Sequence, residues 1–388
     1  MPKKSLLAIA IASIAASQAA TAAPSLDVYG FVDIGLEHYN EDGITAGSDV
    51  FPGGDAPNGN SDEQEFALTN NVQSRIGIKG EEDIQDGWKG TYRIEFKADV
   101  LESTGDSYGV KTRLGWLGLE NGDHSFKLGT QWSPYMMYSG WNTNRGETQG
   151  LASYFYITDE LKGSLGYGFR NSSTASYTYG KGGWGTASPV SATVALHIGE
   201  DDRKATIDGK EVLTNDAGIT GVSIAGAATF GTVTLNAVYV KNIVQESDAA
   251  KENLAAAKLL NDAAAIDKAE GLTTAPSIYS VGAKVQATPE LELGFAYRGA
   301  DRDTKEDSKT TSTTLSAQYQ FTDKLNVLFG YGQGEDDNKD ARQLDNAVFG
   351  QVWYQVTDSR SVRFEFDYAD YSSDGEALAT VVSMRQAF

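Results

Sequence analysis

The chain has 388 residues, with 53 Asp and Glu against 32 Lys and Arg, a formal net charge of −21, 42 Gly and no Cys. These numbers exclude a disulfide scaffold, Cys-ligated metal or iron–sulfur centres, thiol catalysis and, through the lack of basic patches, a nucleic-acid partner. No apolar run of about 18 residues follows the first segment, so a helical membrane protein is excluded, whereas a membrane β-barrel, whose strands alternate, is not.

Residues 1–22 carry Lys3 and Lys4, an apolar run from Leu6 to Ala16 and the small triplet Ala20-Thr21-Ala22. This is the layout of a secretory signal peptide cut after Ala22. Its loss removes two lysines and takes the net charge from −21 to −23. Length alone would allow two or three soluble domains, but two-residue periodicity runs almost throughout residues 23–388. From Trp88 the even positions read Trp88, Gly90, Tyr92, Ile94, Phe96, Ala98 and Val100, and the odd ones Lys89, Thr91, Arg93, Glu95, Lys97 and Asp99. One face is apolar and aromatic, the other densely charged.

A soluble sandwich and a membrane barrel share that pattern; the spacing of turns separates them. Short turns at 81–87, 121–123, 230–231, 288–290, 322–324 and 357–359 alternate with long polar stretches at 40–64, 131–160, 200–217, 244–275, 301–308, 335–341 and 372–376. Strict alternation puts every long loop on one side, as in outer-membrane barrels. The predicted strands, in chain order, are 25–39, 65–80, 88–101, 110–120, 125–131, 161–170, 190–199, 218–229, 232–242, 277–287, 291–300, 310–321, 325–334, 342–356, 360–371 and 377–388. They number sixteen, each close to the roughly ten residues a tilted spanning strand needs. Residues 171–189 fit poorly, since Tyr177-Thr-Tyr179 reads as a turn, a bulge or part of a displaced strand. Residues 248–270, rich in Ala, Leu, Lys and acids, with Ser247 as N-cap and Gly271 beyond the end, predict a helix in an external loop.

Several blocks resemble the general bacterial porins of Gram-negative outer membranes: Asp27-Val-Tyr29-Gly30-Phe-Val-Asp33, Ser74-Arg75-Ile-Gly77-Ile-Lys79-Gly80-Glu81-Glu-Asp83, Gly87-Trp-Lys-Gly-Thr-Tyr92-Arg-Ile-Glu95, Arg113-Leu-Gly-Trp-Leu-Gly118-Leu, Lys127-Leu-Gly129-Thr-Gln131 and a last strand ending in Phe388. The resemblance implies an all-β fold: a 16-stranded antiparallel transmembrane β-barrel, usually a homotrimer, with an inward-folded constriction loop. That loop corresponds to residues 132–160. Phe388 corresponds to the signal read by the barrel-assembly machinery. The implied function is a water-filled channel for passive diffusion of small hydrophilic solutes and ions.

In the family, basic side chains on one wall face acids on the loop, and the transverse field between them sorts solutes. Arg75 and Arg113 match the basic wall, Arg75 opposite in parity to Ile76 and Ile78, and Arg113 opposite to Leu114 and Trp116. Lys162 corresponds to a third basic member that opens the strand after the loop. Glu147, with Asp159 and Glu160, supplies the loop acids, and Trp132, Tyr135 and Trp141 its aromatics. The Pro-Glu-Phe-Gly-Gly tip of some members is missing from this loop. Acidic runs such as Glu200-Asp-Asp202 and Glu335-Asp-Asp337 predict a modest cation preference at the mouth, and equally suit divalent-cation bridges to lipopolysaccharide among the outer-membrane lipids. A substrate-specific channel and a structural or adhesive barrel are the competing readings. His38, ending the first strand, and His124, in a turn at the other end, cannot share a catalytic or metal site, and no P-loop or dinucleotide context occurs. The sequence therefore predicts neither enzyme activity nor a cofactor or metal.

Overall fold

The structure is a computed structural model that describes residues 24–44, 61–70, 72–101, 111–144, 146–147, 152–158, 169–180, 189–199, 203–207, 210–215, 218–243, 276–301, 309–337, 343–372 and 375–388. Its strands are β1 (Asp27–Ile44), β2 (Ser61–Thr69), β3 (Arg75–Asp83), β4 (Lys89–Lys97), β5 (Lys111–Asn121), β6 (His124–Trp132), β7 (Arg170–Tyr179), β8 (Val190–Gly199), β9 (Arg203–Ile207) and β10 (Lys210–Asn215). They continue with β11 (Gly218–Phe230), β12 (Val233–Asn242), β13 (Ser277–Gln286), β14 (Leu291–Asp301), β15 (Lys309–Thr322), β16 (Leu325–Asp336), β17 (Leu344–Thr357), β18 (Arg360–Tyr371) and β19 (Gly375–Ala387).

Seventeen segments form one antiparallel sheet, and β9 with β10 forms a separate hairpin. The sheet closes on itself because β1 pairs with β19 along Phe31 to Asp42. The last residue completes the seam: Gly30 N–H donates to Phe388 O and Phe388 N–H to Gly30 O, each at 3.1 Å. Both β2 and β3 pair with β1, over its outer and inner halves respectively, so together they make one stave. The barrel therefore has sixteen staves, the even number expected for a closed antiparallel barrel of this kind.

The alternation of the sequence now has a physical direction. Ile94 and Leu117 lie on the outer surface, whereas Glu95, next to Ile94, is 1% exposed and faces inward. Leu128, Phe230, Leu315 and Phe329 continue the outer apolar surface around the wall. The buried apolar cluster lies inside the barrel, where the segment after β6 packs on the inner wall. Tyr135, Met136, Tyr138, Tyr154 and Ile157 meet Val238 and Val240 of β12, Ile278 of β13 and Ala300 of β14.

Several expectations are corrected. The strand after that segment is Arg170–Tyr179, not 161–170, so residues 171–179 form the displaced strand and Lys162 does not open it. The stretch 65–80 is split at 70–74, where Gln73 takes a positive φ of 58°. Asn70 stitches this break by accepting from Ser74 N–H at 2.8 Å and donating to Ala98 O at 3.0 Å. The stretch 200–217 contains the β9–β10 hairpin, and β1 runs on to Ile44, so His38 lies within the strand. The connection between β7 and β8 spans residues 180–189 on the short-turn end, which breaks strict alternation. The segments 1–22 and 248–270 lie outside the described residues.

A Lys at Ile94 places a charge in lipid, and a Lys at Thr91 places it on the inner face. Ile94→Lys is expected to cost about 2–4 kcal/mol in denaturant unfolding from lipid vesicles, and Thr91→Lys to leave stability nearly unchanged while altering ion conductance.

Candidate functional site

The inward charges gather on the wall made by β1, β3, β4, β5, β18 and β19. At its centre the buried carboxylate of Glu95 accepts from Arg113 Nε at 2.8 Å and Arg93 Nη2 at 2.9 Å, with Arg75 Nη1 at 3.8 Å. Tyr29 donates its hydroxyl to Glu95 at 2.9 Å and accepts from Arg93 Nε at 2.6 Å. A carboxylate removed from water needs such saturation, since an unpaired buried charge costs several kcal/mol.

Backbone irregularities aim both Arg75 and Arg113. The 70–74 break precedes Arg75, whose guanidinium donates to Gln73 O at 3.1 Å and Val72 O at 2.5 Å. Arg113 is the extra residue of a β-bulge: Glu95 pairs with Leu114 and Phe96 with Thr112, leaving Arg113 without a partner on β4. Leu114 pairs with inward Glu95 and Trp116 with inward Arg93, so Arg113 faces inward through its bulge and not through the opposite parity to Leu114 and Trp116 that the sequence predicts. Arg113 also donates to the Gln73 side chain, joining the bulge to the break.

A second cluster adjoins the first through Phe31, whose ring lies 4.4 Å from the Arg75 guanidinium and 4.1 Å from that of Arg385. Arg385 pairs with Asp33 at 2.8 Å and with Glu147 at 3.1 Å, and its guanidinium lies 5.1 Å from the Trp353 ring. Arg363 pairs with the same Asp33 oxygen at 2.5 Å. Glu147 is held from its backbone too, its N–H donating to Glu365 at 2.6 Å and to Gln351 at 3.1 Å.

Glu147 thus sits on an inward segment that the wall fastens at several points. A π-helical turn, Met136–Gly140, and the short helix α1, Ala152–Thr158, belong to it. Asn142 donates to Phe295 O at 2.6 Å and accepts from Asn236, in space that inward Gly282 and Gly294 leave free; a Cβ at either would overlap the segment. Ser153 O accepts from Ser312 Oγ at 2.7 Å. Tyr138 shares a hydrogen bond with Thr193 at 2.9 Å.

Arg298 is the anchor. It is 1% exposed and has no carboxylate partner among the described residues. Its Nε donates to Ser139 Oγ at 2.9 Å, Nη1 to Thr314 Oγ1 at 2.8 Å and Nη2 to Ser139 O at 3.3 Å, while the Tyr154 ring lies 5.7 Å from the guanidinium. Of the sequence-named aromatics, Tyr135 is buried and stacks on Tyr154 with centroids 4.9 Å apart; its burial pushes the phenol above its ordinary range. Trp141 packs half-buried beside the same cluster, and Trp132 closes β6 with the Arg170 guanidinium 5.3 Å from its ring. Lys162, Asp159 and Glu160 lie outside the described residues.

The structure therefore brings together Arg75 and Arg113 around a wall acid, Glu95, and brings Glu147 to Arg385. Sequence reasoning missed Arg363, Arg385 and Arg298 as site residues, although parity marks the first two: Arg363 lies between outward Val362 and Phe364, and Arg385 follows outward Met384. The described residues contain no group of three His, Asp or Glu arranged to hold a metal. His197 is buried against Ser223 at 2.6 Å with Asn171 and Thr174 nearby.

A closed antiparallel barrel with an apolar outer surface and a charged interior defines a transmembrane β-barrel protein. The match to the Gram-negative porin family model covers residues 6–376, and the chain belongs to that family. It is 24% identical over 363 residues to the major outer membrane protein P.IB of Neisseria meningitidis, covering 87% of this chain and 95% of that one. Among solved structures it resembles an anion-selective porin from Comamonas acidovorans, at 14% identity and TM-score 0.65, covering 94% of this chain and all of that one. It also resembles the trimer form of OmpT of Vibrio cholerae, at 15% identity and TM-score 0.56, covering 94% and 99%. The protein is thus located in the outer membrane and is a channel, and its family is one of channels rather than enzymes.

Arg298→Met removes three hydrogen bonds without touching the outer surface. The barrel is expected to fold, and amides of residues 136–143 to exchange about tenfold faster by mass spectrometry, as losing roughly 1.4 kcal/mol of local stability requires.

Proposed function

We propose that residues 132–160 constrict a water-filled pore for passive diffusion of small hydrophilic solutes and ions. Arg75, Arg113, Arg363 and Arg385 line one side of the narrowing and Glu147 supplies the acid on the loop. The observation that carries this reading is the Arg385–Glu147 pair at 3.1 Å, which joins the loop to the charged wall. Lys162, Asp159 and Glu160 are proposed as further charged residues of the constriction, and Trp132, Tyr135 and Trp141 as the aromatics that stiffen it. The dense charge of such a narrowing favours polar solutes and disfavours apolar ones.

The acidic balance of the chain supports a weak cation preference at the mouth, where loop acids raise the local cation concentration. The same acids suit divalent-cation bridges to lipopolysaccharide. A homotrimer is the proposed assembly, supported by the likeness to the trimeric OmpT of Vibrio cholerae. Residues 1–22 are the proposed export signal. Phe388, exposed at the end of the last stave, is the proposed signal for the barrel-assembly machinery.

Reversal potentials across a planar bilayer under a potassium chloride gradient test this reading. Potassium is expected to be preferred at low salt. The mouth contribution should fade near 1 M, where the screening length is about 3 Å, and Glu147→Gln should shift selectivity toward chloride. Chloride preference in the unmodified protein would overturn the cation reading, and absence of current would overturn the pore.

A further inference from the structure

A recess of about 360 Å³ opens in the inner wall beside Glu147, formed by β15, β16 and β17 and reaching the turn at Asp323 and Lys324. That turn is one of the short ones, so the recess belongs to the periplasmic half of the lumen. Its volume lies within the roughly 300–1,000 Å³ typical of small-molecule sites.

The lining is mostly neutral and rich in amides. Gln318, Gln320, Asn326, Gln351 and Gln355 supply five amide side chains and Trp353 an aromatic one. The charges stand at the ends: Glu147 is engaged by Arg385 above, and Asp323 lies next to Lys324 below. Part of the amide set is occupied by structure. Asn326 donates to Gln320 at 2.9 Å, Trp353 Nε1 to Gln355 at 3.1 Å, and Gln355 Nε2 to Thr357 O and to Arg360 O.

Two amides keep free capacity. Gln318 has no hydrogen-bond partner among the described residues, and Gln351 uses only its oxygen, accepting from Glu147 N–H at 3.1 Å. A primary amide offers both donor and acceptor, which matches a hydroxyl, itself both. Neutral amides give no advantage to an ion over water, while several of them around an aromatic ring suit a ligand that carries many hydroxyls on an apolar ring face.

We infer that this recess is a binding subsite for a neutral polyhydroxylated solute of mono- or disaccharide size, held by Gln318 and Gln351 beside Trp353. The subsite lies within the proposed pore and rests on that reading. It adds saturable, weak capture of sugars to passive flow.

The test is single-channel recording of the purified protein in a planar bilayer with sucrose as the probe. A polyethylene glycol of matching hydrodynamic size serves as control. Sucrose is expected to reduce the ion current saturably, and more effectively from the periplasmic side, while the polymer reduces it in proportion to concentration. Gln318→Ala should keep the open-channel current, and Gln318→Ala and Gln351→Ala should each raise the half-blocking sucrose concentration about fivefold, the loss of one hydrogen bond. Normal conductance with sucrose acting like the polymer, or with both variants blocked as the unmodified protein is, overturns the subsite and leaves the pore standing. No current at all overturns the pore and the subsite together.

Discussion

Closure of the sheet through β1 and β19 is the constraint on which everything else rests. In hydrocarbon a strand edge would leave a row of unpaired N–H and C=O groups, each costing several kcal/mol, so a spanning sheet is stable only with no edge. Here the seam runs from Phe31–Ala387 to Asp42–Glu376, and the Gly30–Phe388 pair extends it to the last residue. Once closed, the sheet has an outside that must be apolar and an inside that must be wet, and the two-residue alternation becomes a radial pattern.

Closure also brings distant parts of the chain together. Asp33 near the start meets Arg363 and Arg385 near the end, and Arg385 in turn reaches Glu147 from the middle. Glu95 and Asp33 each face more than one guanidinium, so no single pair carries the balance there. The buried acids Glu95 and Asp33 compensate the arginines that surround them, and Phe31 separates the two clusters with its ring. The inward segment is fastened mainly by neutral hydrogen bonds and by Arg298, a buried cation balanced by hydroxyls, a carbonyl and an aromatic face. Such an attachment depends little on salt, whereas the Glu147–Arg385 contact at its tip, partly exposed, is open to screening.

Legibility followed the physical origin of each feature. Arg75 could be placed inward because Ile76 and Ile78 give its strand an unambiguous outer face. Arg113 was placed correctly through a parity that its own bulge reverses: a bulge adds one residue to one strand, and nothing in Arg113-Leu-Gly-Trp announces the addition. The sixth stave lies at 170–179 rather than 161–170 because Arg170-Asn-Ser-Ser-Thr-Ala is a run of polar and hydroxyl residues, which carries almost no hydrophobic signal. Glu95, Arg363 and Arg385 carried the correct inward parity without any sign that they belonged together, since their contacts cross intervals of 18 to more than 300 residues.

By itself the sequence determined the class of fold, the number of staves and which face of most staves meets lipid, because those follow from local alternation and the spacing of turns. It determined the strong acidity as well, although not where the charges act. Only the tertiary structure decided which inward charges meet, that the acid nearest Arg113 is Glu95 on the wall rather than one on the inward segment, and that Arg298 holds that segment. Those contacts depend on register, on one break and one bulge, and on closure around the barrel, which are properties of the whole sheet.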